Sequence, residues 1–250
     1  KLTKIADKKH RKLESEVFKN ADITLATSYT DAENFRKKGA NAFCITNGFD
    51  VDASTTLSMT EENSKTLPLS NSTTKFTLSY IGVLEQLRNP EILWETLNDL
   101  VQENADFKND FQLKFVGRLD DKILQKIESS ALKNNLTNLG YQTHDVALKH
   151  MQDSTVLLMT NFPQESSKGI IPGKIFEYLA TGKTILSFGP KDADVEKILN
   201  ETKAGKHFGY DEKENLKNFI LESYQNWKSG TLNQNAENIE QFSRKNLTQK

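Results

Sequence analysis

Lys174 and Glu177 lie one helical turn apart in the segment GIIPGKIFEYLATGKTIL, residues 169–186. The segment is typical of a loop that ends at Pro172, a short helix that stops at Gly182 and a following strand. A helix N-terminus has unsatisfied N–H groups and a partial positive charge, which suit a phosphate, and a lysine there adds a cation. A glutamate can accept two hydrogen bonds from a sugar diol. The same spacing also suits a solvent-exposed Lys–Glu pair, which stays open as the alternative.

The helical periodicity of this segment predicts one apolar face and one polar face. The predicted core face holds Ile171, Ile175, Phe176, Leu179 and Ala180, and the other face holds Lys174, Glu177, Tyr178 and Thr181.

Strands and helices alternate from residue 75 onward, and several strands are nearly all apolar. The predicted strands are FTLSYIG, FQLKFVG, LTNLG, STVLLMT, TILSFG and a short one around GKHFGY. The predicted helices between and after them are PEILWETLNDLVQEN, DDKILQKIESSALKN, HDVALKHM, the short helix after Pro172, ADVEKILNE and ENLKNFILESYQNW. Apolar strands alternating with helices predict an α/β fold, a doubly wound, Rossmann-like parallel sheet covered on both faces.

Residues 1–52 have a different organisation. A basic helix over 2–19, which could also touch a membrane surface, precedes a strand, ADITLAT. Ser28 and Asp31 form a capping pattern for a helix that ends at Gly39, and a second strand, AFCIT, follows. Residues 53–74 are rich in Ser and Thr and predict a linker or a long surface loop.

The composition of the chain excludes several classes of protein and of site. Hydrophobic residues make up 36% and charged residues 27%, and the net charge is −1, which indicates a globular protein that does not bind nucleic acid. No apolar run approaches a membrane span. The single cysteine, Cys44, excludes an internal disulfide, and no Cys/His cluster or DxD-like pair indicates a metal site. The chain opens with Lys and ends inside a predicted helix, so we expect a piece of a longer protein.

The carboxyl ends of the predicted strands form a candidate ligand edge, because open parallel sheets bind ligands there. The residues that follow the strands are Gly82, Gly117-Arg118, Gly140-Tyr141-Gln142, the loop up to Pro172, and Gly189-Pro190. Glycines at these points let the backbone turn sharply or approach a ligand closely.

Four ordered motifs resemble the family-four glycosyltransferases of GT-B architecture. PGKIFEYLATGKTI resembles their donor-site signature, and ADITLATS with ITNGFD resembles the end of their N-terminal domain and the hinge. YIGVLEQLRNPEIL resembles the first strand and phosphate loop of their C-terminal domain, and FVGR and LGY follow in order. The resemblance covers nearly the whole chain. It implies a remnant of the acceptor domain over 1–52, the nucleotide-sugar donor domain over 75–230 and a C-terminal crossover helix over 231–250.

The resemblance also implies residue roles. Glu177 would bind the ribose hydroxyls, and Gly82 and Arg88 would face the diphosphate. Lys174 would bind phosphate or pair with an acid across the cleft. The other implied donor-site positions line the cleft, border the base or wrap the phosphate and sugar: Arg118, Tyr141, Gln142, Gly169, Ile170, Ile171 and Pro172.

Two positions depart from the family pattern. Many members have a second glutamate eight residues before the ribose glutamate, where this chain has Gly169, and Glu165 is displaced from that position by four residues. Many members also have an arginine directly after the first-strand glycine, where this chain has Val83. These departures bear on contacts with the donor sugar.

The implied activity is transfer of a sugar from a nucleoside-diphosphate-sugar to a carbohydrate or lipid-linked acceptor in polysaccharide or glycolipid synthesis. The resemblance implies a hexosyltransferase-like enzyme that retains anomeric configuration and needs no metal or other cofactor. It implies a cytoplasmic location, at the inner face of the membrane for a lipid-linked acceptor, with peripheral membrane contact through a domain outside this chain. Acceptor-side catalytic groups would lie in that domain, so we expect no turnover from this chain alone. A GT-B nucleotide-sugar epimerase and a non-catalytic nucleotide-sugar-binding subunit remain as alternatives.

Overall fold

A computed structural model of the protein describes residues 3–50, 75–232 and 236–249. The strands, in chain order, are β1 (Thr24–Ala26), β2 (Ala42–Cys44), β3 (Phe76–Ile81), β4 (Phe111–Val116), β5 (Leu136–Asn138), β6 (Val156–Thr160), β7 (Thr184–Phe188) and β8 (Gly205–Phe208). The α-helices are α1 (Lys4–Asn20), α2 (Tyr29–Lys37), α3 (Glu91–Glu103), α4 (Ala105–Asp110), α5 (Asp121–Glu128), α6 (His144–Gln152), α7 (Lys174–Ala180), α8 (Asp194–Thr202), α9 (Lys213–Lys228) and α10 (Arg244–Leu247).

Six strands form one parallel sheet in the order β5-β4-β3-β6-β7-β8. The predicted doubly wound α/β fold is therefore confirmed. The chain builds outward from β3 to β5, returns to β6 beside β3 and then builds outward on the other side. The order reverses between β3 and β6, and such a reversal opens a crevice at the carboxyl ends of the two strands.

Both faces of the sheet are covered, which explains why β3 is buried along its whole length. On one face the aromatic rings of Phe76, Phe107 and Tyr224 pack with centroids 5.1–6.1 Å apart. On the other face a separate apolar cluster joins Leu157 of β6 to Phe176 and other side chains of α7. Apolar burial on both faces stabilises a parallel sheet and accounts for the continuous apolar runs in the sequence.

The N-terminal residues form a small two-stranded parallel sheet, β1 with β2, beside α1 and α2. The Ser28 hydroxyl accepts a hydrogen bond from the Asp31 N–H at 3.1 Å and caps α2, as the sequence predicts. The helix ends before Gly39, whose φ is 90°. The local sequence signals therefore set both ends of this helix.

The C-terminal residues return to the N-terminal segment. Phe49 forms a parallel bridge with Ser243: the Phe49 N–H donates to the Phe242 carbonyl at 3.1 Å, and the Arg244 N–H donates to the Phe49 carbonyl at 2.8 Å. The Phe242 ring also packs 5.8 Å from the ring of Phe176 on α7. The C-terminal segment thus connects the residues after β2 to a helix of the large sheet.

Two predicted helices differ from the structure. The predicted helix over 120–134 ends at Glu128, because the Ser130 hydroxyl bonds the Ile127 carbonyl and the Leu132 N–H and starts a 3-10 helix over Ala131–Asn135. In place of one helix over 231–250, residues 236–249 form a 3-10 turn, Ile239–Phe242, and the short helix α10. The predicted linker over 53–74 lies outside the described residues.

Within the described part of the chain, no helix is long and apolar enough to cross a membrane.

Candidate functional site

Three glycines shape the sheet edge on one side of the crevice. Gly82, Gly117 and Gly140 follow β3, β4 and β5, and their φ angles are 122°, 122° and 63°. The Gly82 N–H donates to the Val116 carbonyl and the Gly117 N–H to the Gly140 carbonyl, both at 2.7 Å. A Cβ on Gly117 would collide with the Gly82 carbonyl. This edge therefore requires glycine, and it leaves backbone open at the ends of the strands.

Lys174, the first residue of α7, directs its ammonium group at the end of β3. Nζ donates a hydrogen bond to the Ile81 carbonyl and lies 4.8 Å from the centroid of the Tyr80 ring. A Cβ built on Gly82 would lie 2.5 Å from Nζ, so the missing side chain of Gly82 makes room for the lysine. Burial, and to a smaller extent the charge of Arg88, lower the pKa of Lys174 to about 8, while the charge of Glu177 opposes this shift.

Arg88 places a second cation beside the same stretch of backbone. Its Nη2 donates to the Val83 carbonyl at 2.9 Å, and its guanidinium lies 5.4 Å from the centroid of the Phe162 ring. Glu85, whose side chain is exposed, forms a long ion pair with the guanidinium at 3.6 Å. Among the described residues, Nε of Arg88 is buried and has no hydrogen-bond partner. Lys174 and Arg88 thus place two positive charges beside the backbone from Ile81 to Val83.

Glu177 lies one turn after Lys174 on α7 and is partly exposed. Its charge stabilises the protonated form of Lys174, which keeps the lysine pKa from falling further. The two do not form the solvent-exposed pair of the alternative interpretation, because the ammonium group is buried against β3.

Tyr178 corrects the predicted polar face of α7. Its side chain is fully buried, and its hydroxyl lies 3.4 Å from the Leu158 carbonyl. The prediction was wrong because this seven-residue helix is covered on two sides, by the sheet and by Phe242 of the C-terminal segment.

Residues 161–173, here called the site loop, connect β6 to α7. Asn161 is buried, and its Nδ2 donates to the Ile170 carbonyl at 2.8 Å across the loop. The Ser167 hydroxyl donates to the Phe162 carbonyl at 2.7 Å. The Tyr210 hydroxyl donates to the Asn161 carbonyl, which anchors the start of the loop to the segment after β8. These bonds hold the loop that carries Gly169, Ile170, Ile171 and Pro172.

The sequence did not single out Asn161, Tyr210 or His207. The neutral His207 ring can donate from Nε2 to the Pro190 carbonyl at 3.1 Å while Nδ1 accepts from the Ser187 hydroxyl at 3.0 Å. This arrangement fixes the Gly189-Pro190 turn after β7. Asn161 had one available signal, since it directly follows a buried strand. Tyr210 and His207 had none, because their partners are distant in the sequence.

The predicted site residues do not all converge. Gly82, Arg88 and Lys174 lie together at the end of β3, with Glu177 one turn further along α7. Arg118 is exposed after β4, and Tyr141 after β5 has 87% of its side chain exposed. Gln142 donates to the Leu139 carbonyl at 2.8 Å. Gly169 abuts the N-terminal segment, and Ile170 is 45% exposed.

The described residues contain no group of three or more His, Cys, Asp or Glu side chains that could hold a metal ion.

No protein-family model and no curated protein matches this sequence. Solved structures do match the fold. HepE from Anabaena, in complex with UDP-glucose, is 18% identical with a TM-score of 0.67, covering 96% of this chain and 65% of its own. TarM from S. aureus, in complex with fondaparinux, α-GlcNAc-glycerol and UDP, is 16% identical with a TM-score of 0.65, covering 96% and 45%. Sucrose-phosphate synthase from Thermosynechococcus elongatus is 17% identical with a TM-score of 0.61, covering 100% and 62%.

The chain spans between 45% and 65% of the length of these proteins. They are glycosyltransferases of GT-B architecture, and the six-stranded parallel sheet of this chain, flanked by helices, matches one half of that architecture. The six-stranded unit of this chain therefore has the Rossmann-like fold of one half of the GT-B glycosyltransferases.

Proposed function

We propose that the protein is a glycosyltransferase that transfers a sugar from a nucleoside-diphosphate-sugar to a carbohydrate or lipid-linked acceptor. The crevice between β3 and β6 is the donor site in this proposal. Its support is the combination of the fold, the ordered sequence motifs and the charges at the end of β3.

The observation that carries the proposal is the ammonium group of Lys174. A buried cation that faces a carbonyl and an aromatic ring, with no carboxylate in salt-bridge contact among the described residues, is costly to hold charged. An anionic ligand at the neighbouring Gly82 would offset that cost. The ligand that suits two converging cations and an open glycine backbone is a diphosphate.

Each side chain then has a role. Lys174 and Arg88 bind the diphosphate and stabilise the negative charge that develops on it as the bond to the anomeric carbon breaks. The carboxylate of Glu177 accepts hydrogen bonds from the ribose hydroxyls. Backbone N–H groups of the site loop, from Gly169 to Pro172, contact phosphate and sugar. Tyr141 and Gln142 border the base after β5, and Arg118 lines the cleft after β4.

The finer parts of the proposal follow from the sequence resemblance. We propose that the anomeric configuration is retained and that no metal is needed, because Lys174, Arg88 and backbone amides supply the positive charge. The acceptor belongs to polysaccharide or glycolipid synthesis in the cytoplasm, at the inner membrane face for a lipid-linked acceptor. Acceptor-side groups lie outside this chain, so this chain alone binds donor without turnover.

Calorimetric titration with UDP, GDP, ADP and CMP tests the donor site. We expect one diphosphate to bind in the micromolar range and Glu177→Ala to weaken it about tenfold, or about 1.4 kcal/mol. Glu128→Ala is the matched control, because Glu128 is exposed at the end of α5 that points away from the strand carboxyl ends. Equal affinities of wild type and Glu177→Ala would refute the assignment of Glu177. Absence of binding by all four nucleotides would refute the donor site.

A second measurement separates the transferase from the other GT-B activities. A longer protein that contains this chain is incubated with the sugar nucleotide whose diphosphate binds, with and without candidate acceptors. Release of diphosphate that depends on an acceptor supports the transferase. Release without an acceptor indicates an epimerase, and binding with no turnover under any acceptor indicates a non-catalytic subunit.

A further inference from the structure

Asp194 joins two parts of the chain that are far apart in sequence. It is the first residue of α8, and its side chain is fully buried. Its Oδ2 accepts from the Thr30 N–H at 2.9 Å, and its Oδ1 accepts from the Thr30 hydroxyl at 2.8 Å. Lys197, one turn later, lies 3.2 Å from Oδ1. A buried carboxylate with this many partners is well compensated, and removing one partner is costly.

The backbone of the same residue holds the site loop. The Asp194 N–H donates to the Lys168 carbonyl at 2.9 Å, in the middle of the loop. Asp194 therefore contacts Thr30 of the N-terminal segment through its side chain and Lys168 of the site loop through its main chain. No sequence motif indicated this connection, because Asp194 looked like an ordinary acidic residue at the start of a helix.

Gly169 lies at the same contact, next to Lys168. A Cβ on Gly169 would be 3.1 Å from the Ser28 hydroxyl oxygen and 3.2 Å from the Thr30 Cβ. These distances are tighter than ordinary van der Waals contact, so even alanine would press against the N-terminal segment. The space that a side chain at position 169 would need is filled by Ser28 and Thr30.

We propose that Asp194 is a positioning residue for the donor site: it fastens Thr30 to the site loop and so fixes the loop backbone around Gly169–Pro172. The inference rests on the proposed donor function for its effect on ligand affinity. Neither Asp194 nor Thr30 contacts the donor in this arrangement. The position of the N-terminal segment and the affinity for donor are then coupled, and by linkage each changes the other by the same factor.

Thr30→Val tests the proposal, because valine keeps the size of threonine and removes the hydroxyl that bonds Asp194. Amide hydrogen exchange of Lys168, Ile170 and Asp194 measures how readily the site loop opens. Calorimetry with the diphosphate nucleotides measures the affinity of the donor site. We expect Thr30→Val to speed exchange of these amides about tenfold and to weaken nucleotide binding several-fold. Thr30→Ser keeps the hydroxyl and should restore both.

Thr202→Val is the matched control, because Thr202 is a fully buried threonine at the end of α8, the helix that Asp194 begins, and its hydroxyl donates to the Ile198 carbonyl at 2.7 Å. It should lower overall stability without selectively loosening the site loop. Equal effects of the two valine variants on loop exchange, or no restoration by Thr30→Ser, would overturn the proposal. If wild type binds none of the nucleotides, the donor function fails, and loop exchange alone decides whether Thr30 and Asp194 fix the loop.

Discussion

Replacement of Lys174 by methionine should make the protein more stable and less able to bind a diphosphate. Methionine keeps most of the length and apolar volume of lysine without the charge. Folding buries the ammonium group and lowers its pKa from 10.5 to about 8. The folded protein therefore binds this proton more weakly than the unfolded chain, and the charged lysine lowers the free energy of unfolding.

The magnitude follows from the two pKa values. A pKa that falls from 10.5 to about 8 corresponds to about 3 kcal/mol at pH 7. Above pH 8 the folded protein releases this proton while the unfolded chain keeps it up to about pH 10.5, so the cost shrinks to about 1 kcal/mol at pH 10. Against this gain, methionine loses the hydrogen bond to the Ile81 carbonyl and the contact with the Tyr80 ring, together about 1–2 kcal/mol.

We therefore expect Lys174→Met to be about 1–2 kcal/mol more stable than wild type at pH 7 and to lose that advantage by pH 10. The change in the difference between the two pH values, about 2–3 kcal/mol, depends only on the lysine proton. Nucleotide binding shows the opposite effect: wild-type affinity should fall as pH rises above about 8, and the variant should bind weakly at every pH.

Urea unfolding at pH 7 and pH 10, with calorimetry on the same samples, measures both effects. Lys122→Met, which removes a lysine from an exposed position of α5, is the control. A variant that is less stable than wild type at pH 7, with a difference that does not change by pH 10, would refute the buried-charge argument. Unchanged nucleotide affinity would refute the role of Lys174 in the site.

Two more predictions concern the sheet edge. Alanine at position 82 would have a φ of 122° and a Cβ 2.5 Å from Lys174 Nζ, whereas at Gly140 φ is 63° and no atom lies within 4 Å. Gly82→Ala should therefore lower the free energy of unfolding more than Gly140→Ala, and only Gly82→Ala should abolish nucleotide binding. Equal losses of stability in the two variants would contradict the packing of Lys174 on Gly82. Burial lowers the pKa of His207 below its usual 6.5. As pH falls, the histidine of the unfolded chain is therefore protonated before that of the folded protein, and the free energy of unfolding should decrease below pH 6.5. His207→Gln should reduce that slope in urea unfolding between pH 7 and pH 5, and an unchanged slope would contradict the assignment.

The large sheet was predictable because its signals are local. Nearly all-apolar strands alternate with amphipathic helices, and each glycine that ends a strand marks a turn. The errors also have local causes. The helix after β4 stops at Glu128, since Ser130 offers its hydroxyl to the backbone and competes with the helix. The periodicity of α7 could not place Tyr178, because it does not indicate that a short helix is covered on two sides.

The candidate site was only partly predictable. The types and spacing of Lys174 and Glu177 pointed to an anionic ligand and a diol, and the structure adds that the ammonium group is buried against Gly82. Contacts between residues that are far apart in the sequence could not be predicted from it. The bond from Tyr210 to Asn161 and the bonds from Thr30 to Asp194 link residues 49 and 164 positions apart. Such contacts depend on how the elements pack, which no single motif encodes.

Gly169 affects both the packing of the site loop and the contacts available to the donor sugar. With Ser28 and Thr30 against this position, the chain gains contact between the N-terminal segment and the site loop, and it forgoes a carboxylate near the proposed sugar. Donor binding in this protein should therefore depend more on the diphosphate and ribose than on the sugar. The sugar would be placed mainly by the loop backbone, whose position Asp194 and Thr30 fix.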